Sequence, residues 1–533
     1  MIKKLVLKNF RAFRDSTIEF NEGLNILVGD NEAGKSTVLE AINLGLTSRI
    51  IGKYLSAELS PHLFNLEAQR EYVDAVHAGT NPELPEVVVE LYLEDNADTA
   101  RLRGSNNSLR EDAPGLRVCV SFDSDYSAEY AEFLSEPAKV TSIPVEYFRV
   151  DWRDFSEQAV TQRSVKVSSS LIDASHIRLQ SGSDYYLQRI IEGSLTERQR
   201  VQLARTYRTQ QEEFAKDPAI GEINAYLNES KDEITSKNLT MEVDASHSSA
   251  WETTLTPHLD ELPFQLSGNG EQNMLKILLA LSRKIDESHV ILIEEPENHL
   301  SFSSLNQLID KIAVKCAGRQ VIITTHSSYV LNKLGLEQLM LLSSQKVTRL
   351  KDLPSDTQTY FMKLSGYDTL RLVLAKKVVL VEGPSDELIV QKAYFDKYGH
   401  RPMADGVDVI NIRGLSFKRF LDIAALLGRQ TVVVTDNDGD PAAVDDKYEA
   451  YAGVSTIKVC RGSDAAFPTL EPQLVAANDL ATMNRLLGRT EVSVADLVKY
   501  MTASGNKTEC ALRIHEANEV ITMPQYIQDA ISD

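Results

Sequence analysis

Three aspartates follow a strand-like run in the carboxyl-terminal half of the sequence. Residues 431–440 read TVVVTDNDGD, so an apolar, β-branched run leads directly into Asp436, Asp438 and Asp440. Carboxylates this close repel one another unless a cation or a hydrogen-bond donor stabilises them. A calcium loop of the EF-hand type does not fit, because the sixth position counted from Asp436 is Pro441, where such a loop needs glycine. The aspartates therefore require a different cation site or a donor.

A second strand-like run supplies further acidic residues. The segment KKVVLVEGPSDE ends its apolar part at Glu382, and Asp386 lies in the first turn of the helix that should follow. The carboxyl ends of parallel strands meet at one edge of a sheet, so we expect Glu382 to converge with Asp436 and Asp438. Three or more hard oxygen ligands at one edge favour Mg²⁺ or Mn²⁺. The sequence therefore predicts a divalent-cation site.

The amino-terminal part carries a phosphate-binding motif. The segment LNILVGDNEAGKST contains G-x-x-x-x-G-K-[ST], with a strand-like run before it and a helical pattern after it. Glycine backbone N–H groups can surround phosphate oxygens, and the amino terminus of the helix adds positive potential. We expect the lysine to reach the β- and γ-phosphates and the serine hydroxyl to bind Mg²⁺. The predicted nucleotide-binding residues of this loop are Gly29, Asn31, Gly34, Lys35, Ser36 and Thr37.

Residues far downstream complete the expected nucleotide site. The segment HVILIEEPENHL places two carboxylates after an apolar run, and we expect Glu294 to bind Mg²⁺ and Glu295 to polarise the attacking water. Ser267 and Gly268 open an apolar helix just upstream. His326 follows another strand-like run just downstream.

Composition and charge set limits on the kind of protein. A chain of 533 residues predicts two to four domains. Apolar runs fall short of the roughly 20 residues of a membrane span, the amino terminus does not resemble a signal peptide, and the four cysteines include no CxxC pair. We therefore expect a cytoplasmic protein without a membrane partner. The net charge of −21 excludes a polybasic nucleic-acid coat protein but leaves a DNA-cleaving enzyme open.

The phosphate loop, the serine-glycine segment, the paired glutamates and the histidine resemble, in this order, the ATPase heads of the ABC superfamily. The SMC/Rad50/RecF branch is the most similar, and the resemblance covers roughly residues 1–345. It implies a homodimer with composite ATP sites, in which Ser267 faces the γ-phosphate held by the other subunit and His326 is a switch contact. Glu294 replaces the usual aspartate, and the Q-loop glutamine is not located. No sustained heptad pattern separates Lys35 from Ser267, which disfavours a long coiled-coil arm.

The acidic motifs of the second half resemble those of a Toprim domain. A Toprim domain behind an ABC-type head is similar to the OLD (overcoming lysogenisation defect) family, whose members include anti-phage nucleases such as the Gabija ATPase–nuclease. The segments TLEPQL, with Glu471, and NKTECALRI, with Lys507, also match that family. The resemblance implies a two-metal nuclease site, in which Lys507 stabilises charge on the scissile phosphate and Glu382 also serves as a base.

The implied roles cover both sites. The metal ligands are expected to be Glu382, Asp386, Asp436, Asp438, Asp440 and Glu471, together with Ser36 and Glu294 at the nucleotide. The catalytic residues are expected to be Glu382, Asp436, Asp438, Lys507 and Glu295. The cofactors are ATP and Mg²⁺ or Mn²⁺, and DNA is the expected substrate.

The expected fold is α/β: an ABC-type ATPase domain with a helical insertion, followed by an α/β Toprim domain with a parallel sheet and a helical carboxyl-terminal tail. The expected boundaries are 1–170 and 241–345 for the two parts of the ATPase domain, 171–240 for the insertion, 346–375 for a linker and 376–533 for the Toprim domain. The insertion is either a dimerisation or DNA-facing module or a solvated helical hairpin.

The resulting prediction is an ATP-regulated, metal-dependent DNA endonuclease of anti-phage defence, acting as a homodimer or larger homo-oligomer. A second defence-system subunit is left open. The alternatives are an ATP-gated DNA clamp or repair protein with a non-cleaving Toprim domain, or a topoisomerase-like enzyme. The sequence shows neither a separate domain with a tyrosine nucleophile nor a primase zinc motif, which disfavours the topoisomerase and primase readings.

Overall fold

The computed structural model describes residues 1–30, 32–50, 52–162, 164–173, 179–180, 183–184, 195–229, 240–242, 251, 258–282, 289–315, 318–343, 346–349, 353–363, 369–414 and 416–532. Asn31, a predicted nucleotide-binding residue, and much of the predicted insertion lie outside these ranges. None of the helices in the described ranges is long and apolar enough to cross a membrane.

The strands are β1 (Ile2–Phe10), β2 (Phe13–Glu19), β3 (Leu24–Gly29), β4 (Arg49–Ile50), β5 (Lys53–Tyr54), β6 (Val87–Leu93), β7 (Arg103–Gly104), β8 (Ala113–Phe122), β9 (Phe148–Asp154), β10 (Ser169–Asp173), β11 (Leu179–Gln180), β12 (Ser183–Asp184), β13 (His258–Leu259), β14 (Leu262–Pro263), β15 (Val290–Glu294), β16 (Gln320–Thr324), β17 (Leu339–Ser343), β18 (Lys346–Arg349), β19 (Lys377–Val381), β20 (Val407–Asn411), β21 (Gln430–Thr435) and β22 (Ile457–Arg461).

The α-helices are α1 (Lys35–Thr47), α2 (Leu66–His77), α3 (Ser127–Phe133), α4 (Glu197–Phe214), α5 (Pro218–Glu229), α6 (Asn269–Ser282), α7 (Phe302–Lys315), α8 (Ser328–Leu334), α9 (Ser355–Lys363), α10 (Thr369–Leu374), α11 (Pro384–Tyr398), α12 (Phe417–Leu427), α13 (Pro441–Tyr448), α14 (Leu470–Ala477), α15 (Leu480–Leu487), α16 (Val494–Thr502), α17 (Asn506–Glu516) and α18 (Gln525–Ala530).

Two six-stranded sheets dominate the described part of the amino-terminal half, beside the two-stranded pairs β4-β5, β11-β12 and β13-β14. An antiparallel sheet has the order β2-β1-β6-β8-β7, with β9 also paired to β8. The second sheet has the order β10-β15-β16-β3-β17-β18, and its pairs are parallel except for β17 with β18. Strands β3, β15 and β16 are almost wholly buried apolar runs, as parallel strands covered on both faces require. Their carboxyl ends therefore deliver the phosphate loop, the paired glutamates and the histidine segment to one edge.

The predicted helical insertion contains α4 and α5, and α4 has no buried residue. Thr196 caps α4 through a reciprocal pair of hydrogen bonds with Gln199. Pro218 occupies the first position of α5, where its missing N–H is harmless. The insertion's role stays a prediction.

A four-stranded parallel sheet with the order β20-β19-β21-β22 forms the core of the carboxyl-terminal half. Strands β19 and β21 are neighbours, with Val381 opposite Val434. The residues that follow these two strands, Glu382 and Asp436, therefore emerge side by side. The tail from Leu470 onward is helical, with α14 to α18 packed around the sheet.

One hydrophobic core joins the two halves. Val28 of β3 and Val433 of β21 belong to the same buried cluster, together with Phe361 of α9 and Leu372 of α10. The segment 346–375, expected to be a linker, thus contributes two helices whose apolar side chains are buried between the sheets. This arrangement gives the phosphate loop and the second sheet a common packed framework.

Candidate functional site

The phosphate loop requires glycine at two positions. A Cβ on Gly29 would lie 2.5 Å from the carbonyl oxygen of Leu342, and Gly34 has a φ of 96° with the Phe13 ring 2.9 Å from where its Cβ would be. The loop thus packs tightly against both sheets and leads into α1. Its backbone is held in the compact form that a phosphate-binding loop needs.

Lys35 is folded back onto this loop. Its side chain is buried, and Nζ donates hydrogen bonds to the carbonyl oxygens of Gly29 and Asp30, both at 3.0 Å. Burial lowers the pKa of Lys35, although the charges of Glu295 and Asp30 oppose the shift. The ammonium group is thus hydrogen-bonded to two backbone carbonyl oxygens. With nucleotide bound, we expect phosphate oxygens to compete with these carbonyls for the ammonium group.

The two residues predicted to hold the nucleotide's Mg²⁺ lie together. The hydroxyl of Ser36 donates a hydrogen bond to Oε1 of Glu294, which ends β15. Thr37 follows Ser36 in the first turn of α1 and is half-buried. A hydroxyl and a carboxylate in contact are a hard-oxygen pair of the kind that Mg²⁺ prefers.

Glu295 lies in a small network of acids with His326. Oε1 of Glu295 is 3.4 Å from Nε2 of His326, and Oε2 accepts a hydrogen bond from the His326 backbone N–H at 3.1 Å. Glu297, which the sequence analysis did not select, accepts from the same N–H at 2.8 Å and from the Thr325 hydroxyl at 2.6 Å. Burial, then the charge of Glu297, raises the pKa of Glu295 to about 8. A carboxylate tuned this way suits proton transfer near neutral pH.

These residues line one cleft of about 430 Å³. Its lining includes both the lysine of the phosphate loop and the acids after β15: Glu32, Lys35, Ser36, Glu294, Glu295, Glu297, Asn298, His326 and Ser327. Of the residues predicted for ATP, this cleft brings together Lys35, Ser36, Glu294, Glu295 and His326.

Ser267 and Gly268 lie elsewhere. Ser267 lines a different cleft, its hydroxyl donates to the carbonyl oxygen of Phe264 at 2.7 Å, and its own carbonyl accepts from Gln272 at 2.8 Å. Gly268 is exposed, and no described atom lies within 4 Å of where its Cβ would be. Ser267 is buried, so of the two residues only Gly268, directly before α6, lies at the surface.

The second site forms where β19 and β21 end. The backbone N–H of Asp436 donates a hydrogen bond to Oε1 of Glu382 at 3.1 Å, and the hydroxyl of Thr435 donates to the same oxygen. Asp386, in the first turn of α11, accepts from the backbone N–H of Gly383 at 3.1 Å and so faces back toward the strand. The parallel pairing thus places Glu382 beside Asp436, and α11 adds Asp386; the structure gives no contact that joins the exposed Asp438 to them among the described residues.

Burial, followed by repulsion from neighbouring acids, raises the pKa values of these carboxyls. Burial and the charge of Glu382 raise the pKa of Asp386 to about 7. Burial raises the pKa of Asp436 to about 8, with further contributions from Asp386, Glu382 and Glu471. Closely placed acids that resist ionisation are expected at a catalytic or metal-binding position.

Glu471 and Lys507 extend the cluster. Glu471 is buried, accepts from the hydroxyl of Thr469 at 2.8 Å through Oε2, and lies 3.4 Å from Nζ of Lys507 through Oε1. Lys507 is half-exposed, and its charge opposes the upward pKa shift of Asp436. An ammonium group thus lies at the solvent side of the buried acids.

Asp438 and Asp440 are exposed beyond β21. Asp438 has a φ of 48°, and its backbone N–H donates to the carbonyl oxygen of Pro468 at 3.1 Å. Asp440 caps α13 by accepting from the backbone N–H of Ala443 at 3.1 Å. The structure therefore gives Asp440 a local capping partner and groups Asp436 with Glu382, Asp386 and Glu471.

Asn437, between the aspartates, has a structural task that the sequence analysis missed. Its side chain is fully buried, and Nδ2 donates to the carbonyl oxygens of Gly462, Asp464 and Phe467. These bonds fix the turn after β21 to the loop after β22. The turn's shape is thus set by a buried amide that no pattern of charges or apolar residues could reveal.

Divalent cations are the cofactor that such an acidic cluster implies. No three His, Cys, Asp or Glu side chains in the described ranges are already arranged as a metal-binding group. The donor set nevertheless fits a hard cation, because every donor is a carboxylate and Oδ1 of Asp436 is buried without a hydrogen-bond partner among the described residues. Carboxylates without a cation to offset their repulsion are expected to stand further apart than ligands of a bound ion.

Known families match both halves of the chain. Residues 4–312 match the family described as an AAA domain, and residues 373–438 match the family described as "Overcoming lysogenization defect protein-like, TOPRIM domain". The first match covers more than half of the chain, which therefore belongs to that AAA-domain family. The chain thus carries an AAA domain followed by a segment that matches an OLD-like Toprim domain, in the order that the family resemblance implies. The predicted fold class and family resemblance are thereby confirmed.

Individual relatives share only part of the chain. The DNA double-strand break repair Rad50 ATPase of Methanopyrus kandleri is 35% identical over 121 residues, which are 23% of this chain and 12% of that protein. The DNA replication and repair protein RecF of Acetivibrio thermocellus is 44% identical over 48 residues, 9% of this chain and 13% of RecF. A crystal structure of an SMC head bound to the C-winged helix domain of ScpA has 16% identity and a TM-score of 0.36, covering 66% of this chain and 98% of that one. The chain thus spans about an eighth of the length of these two curated relatives.

Proposed function

We propose that the protein is an ATP-hydrolysing, divalent-metal-dependent DNA endonuclease that cleaves phosphodiester bonds at its Toprim domain. The observation that carries this proposal is the convergence of Glu382, Asp386, Asp436 and Glu471, three of them buried or with raised pKa values, beside Lys507. The family architecture, which pairs an ATPase with an OLD-like Toprim domain, supports the same reading.

Each residue of the acidic cluster has a defined task in this proposal. Divalent cations, when bound, activate water and stabilise the leaving oxygen of the scissile phosphate. Glu382 and Asp386 would hold one cation, with Glu382 also accepting a proton from water. Asp436 would hold the other or bridge both, with Glu471 as a neighbouring ligand. Lys507 would stabilise the negative charge that develops on the phosphate.

The exposed aspartates keep an outer part in the proposal. Asp438 and Asp440 lie on the solvent side of the cluster, where they could complete an ion's coordination through water. Because Asp440 already caps α13, using it as a ligand would cost that cap. We therefore assign Asp438 the larger role of the two.

The residues of the ATP cleft would likewise each have a defined role. Lys35 would exchange its carbonyl partners for phosphate oxygens, and Ser36 with Glu294 would hold Mg²⁺. Glu295, with its pKa near 8, would take the proton of the attacking water, next to His326. Ser267 lines a cleft separate from that of Lys35, and in the proposed dimer this serine would exchange its Phe264 partner for the ATP site of a second copy.

Contacts between the halves support regulation of cleavage by ATP. Arg429 directly precedes β21, which leads to Asp436, and its Nη2 donates to the carbonyl oxygen of Val373 at 2.6 Å. Its Nε is buried and has no hydrogen-bond partner in the described part of the chain. Burial lowers the pKa of Arg429, and the charge of Asp30 in the phosphate loop opposes that shift. A nucleotide that moves Asp30 would therefore change the surroundings of the strand that carries Asp436.

The proposal is tested by incubating the full-length protein with supercoiled plasmid across Mg²⁺, Mn²⁺ and ATP. Nicked or linear products that disappear in EDTA and in Glu382→Ala are expected. Asp446→Asn, an exposed acid on α13 outside the cluster, is the matched control and should cleave normally. DNA binding without cleavage under every condition would leave the clamp alternative, and relaxed closed circles would indicate a topoisomerase.

We assign the activity to anti-phage defence on the family resemblance. Cells that carry the wild-type gene should then yield fewer phage plaques than cells that carry Glu382→Ala at the same protein level. Equal plaque numbers over a broad phage panel would remove the defence assignment while leaving the nuclease assignment to the plasmid assay.

A further inference from the structure

The carboxyl-terminal helix α18 places a buried phenol beside the acidic cluster. Tyr526 is 4% exposed, and its hydroxyl has no hydrogen-bond partner within the ranges that the structure describes. Burying a hydroxyl without a partner costs free energy that a phenylalanine at the same place would avoid. Packing alone therefore accounts for the ring and leaves the hydroxyl unexplained.

The acceptors around this hydroxyl are the carboxylates of the Toprim site. Helix α18 packs on β22 and on β21, the strand that leads to Asp436, and Tyr526 belongs to the hydrophobic core of this half. The charges that act on its phenol are those of Asp436, Asp386, Glu471 and Glu382, with Asp436 the largest, and together with burial they raise its pKa well above the ordinary value. The phenol is therefore a buried O–H donor whose electrostatic surroundings are a group of acceptors.

Asp436 provides a complementary acceptor that lacks a hydrogen bond. Its Oδ1 is buried and accepts no hydrogen bond from any described residue. An ionised carboxylate oxygen that stays buried in the protein requires a hydrogen-bond donor.

The helix does not depend on this hydroxyl for its position. The carbonyl oxygen of Asp529 accepts from Nζ of Lys458 at 2.5 Å, and the hydroxyl of Tyr398 donates to the carbonyl oxygen of Ile531 at 2.9 Å. These two bonds tie α18 to β22 and to α11. Docking of the tail and the chemistry of the Tyr526 hydroxyl are therefore separable.

We propose that Tyr526 is a positioning residue of the Toprim site: its hydroxyl donates a hydrogen bond to Asp436 when that carboxylate binds a divalent cation. The inference rests on the proposed nuclease function, since it assigns a partner to one of that site's ligands. Hydrogen bonds from residues behind a metal ligand fix its orientation and typically change metal affinity by about 10- to 100-fold.

The test is Tyr526→Phe in the full-length protein, with Mn²⁺ binding measured by calorimetry and thermal unfolding measured in EDTA. We expect Mn²⁺ affinity to fall by about tenfold or more while the unfolding temperature in EDTA stays the same or rises. Tyr398→Phe is the matched control: it removes a phenol hydroxyl that has a partner, so it should lower the unfolding temperature and leave Mn²⁺ affinity unchanged.

The opposite pattern would overturn the inference. If Tyr526→Phe lowers the unfolding temperature in EDTA and binds Mn²⁺ like the wild type, the hydroxyl supports the fold only. This result is distinguishable from failure of the nuclease proposal, in which the wild-type protein itself neither binds Mn²⁺ at the acidic cluster nor cleaves DNA.

Discussion

The backbone N–H of Asp436 donates a hydrogen bond to Oε1 of Glu382 at 3.1 Å, although the two residues are 54 positions apart in the chain. The bond exists because β19 and β21 are adjacent and parallel, so the residues that follow them leave the sheet together. It also holds the Glu382 carboxylate against the start of the aspartate turn. The backbone donor thus partly offsets the repulsion among the carboxylates of the cluster. A bound cation would offset the remaining repulsion.

Glu382→Gln should reduce plasmid cleavage by more than about 100-fold. Removing a residue that merely orients a metal ligand costs about 10- to 100-fold, and a direct ligand should cost more. The amide keeps the side chain's size and can still accept the hydrogen bonds of Asp436 and Thr435, so the fold should persist. Initial rates in Mn²⁺, with circular dichroism as the check on folding, measure the effect. Wild-type rates in this variant would show that Glu382 is not a ligand.

Stability in the absence of metal should fall as the pH rises. The pKa values of Asp386, about 7, and Asp436, about 8, lie above the value of about 4 expected in the unfolded chain. Between these values the folded protein binds more protons than the unfolded protein, so the free energy of unfolding decreases with increasing pH. Unfolding temperatures in EDTA from pH 5 to pH 8.5 should show this decline. The decline should be shallower in Asp436→Asn, and identical slopes in the two proteins would contradict the assignment.

Local patterns in the sequence predict the strands and the meeting of their ends. The apolar runs before Glu382 and Asp436 indicate buried parallel strands, and parallel strands that are neighbours must deliver both acids to one edge. The sequence could not decide which further acids join them. Asp440 precedes a proline that begins a helix, and its side chain caps that helix, whereas Glu471 reaches the cluster from α14.

The remaining parts of the sites depend on long-range packing. Tyr526 and Arg429 interact electrostatically with acids that are distant in sequence, and Glu297 accepts a hydrogen bond from the backbone N–H of His326. Neither periodicity nor motif spacing marks such residues, because a lone tyrosine or arginine has the same local sequence whether it faces solvent or a carboxylate. Glu471 and Lys507 could be selected only through the family resemblance, for the same reason.

Lys507→Met should lower the rate of cleavage by about 100-fold while leaving Mn²⁺ binding nearly intact. The ammonium group lies 3.4 Å from Glu471 and is half-exposed, which suits a charge that acts on a phosphate arriving from solvent. Lys507→Arg, which keeps the charge, should recover part of the rate. Single-turnover cleavage and calorimetry separate the two effects. Loss of Mn²⁺ binding together with activity would indicate that Lys507 organises the acids instead.

Glu295→Gln should slow ATP hydrolysis by about 100-fold or more and preserve ATP binding. The amide cannot accept the proton of the attacking water, yet it can still accept the hydrogen bond from the His326 backbone. Lys35→Ala is the contrasting variant, because losing the ammonium group should weaken ATP binding itself. Filter binding and phosphate release measure the two steps. Normal hydrolysis by Glu295→Gln would show that another residue accepts the proton of the attacking water. Glu297, which interacts with Glu295, would then be the first candidate.

Arg429→Ala should uncouple DNA cleavage from ATP while leaving ATP hydrolysis and cleavage themselves intact. Arg429 touches neither the ATP cleft nor the acidic cluster, but it directly precedes the strand that leads to Asp436 and interacts electrostatically with Asp30 of the phosphate loop. We therefore expect ATP hydrolysis and ATP-free cleavage near wild-type rates, with the response of cleavage to ATP reduced or lost. Arg489→Ala, which removes an exposed guanidinium paired with Glu491, should retain that response.

A double-mutant cycle decides whether the arginine acts through Asp30. If the two residues form one link, adding Asp30→Asn to Arg429→Ala should change the ATP response no further than either substitution alone. Additive losses would show that the residues act separately. A full ATP response in Arg429→Ala would mean that other contacts couple ATP binding to the Toprim site. The side chains of α9 and α10 in the shared hydrophobic core are such contacts.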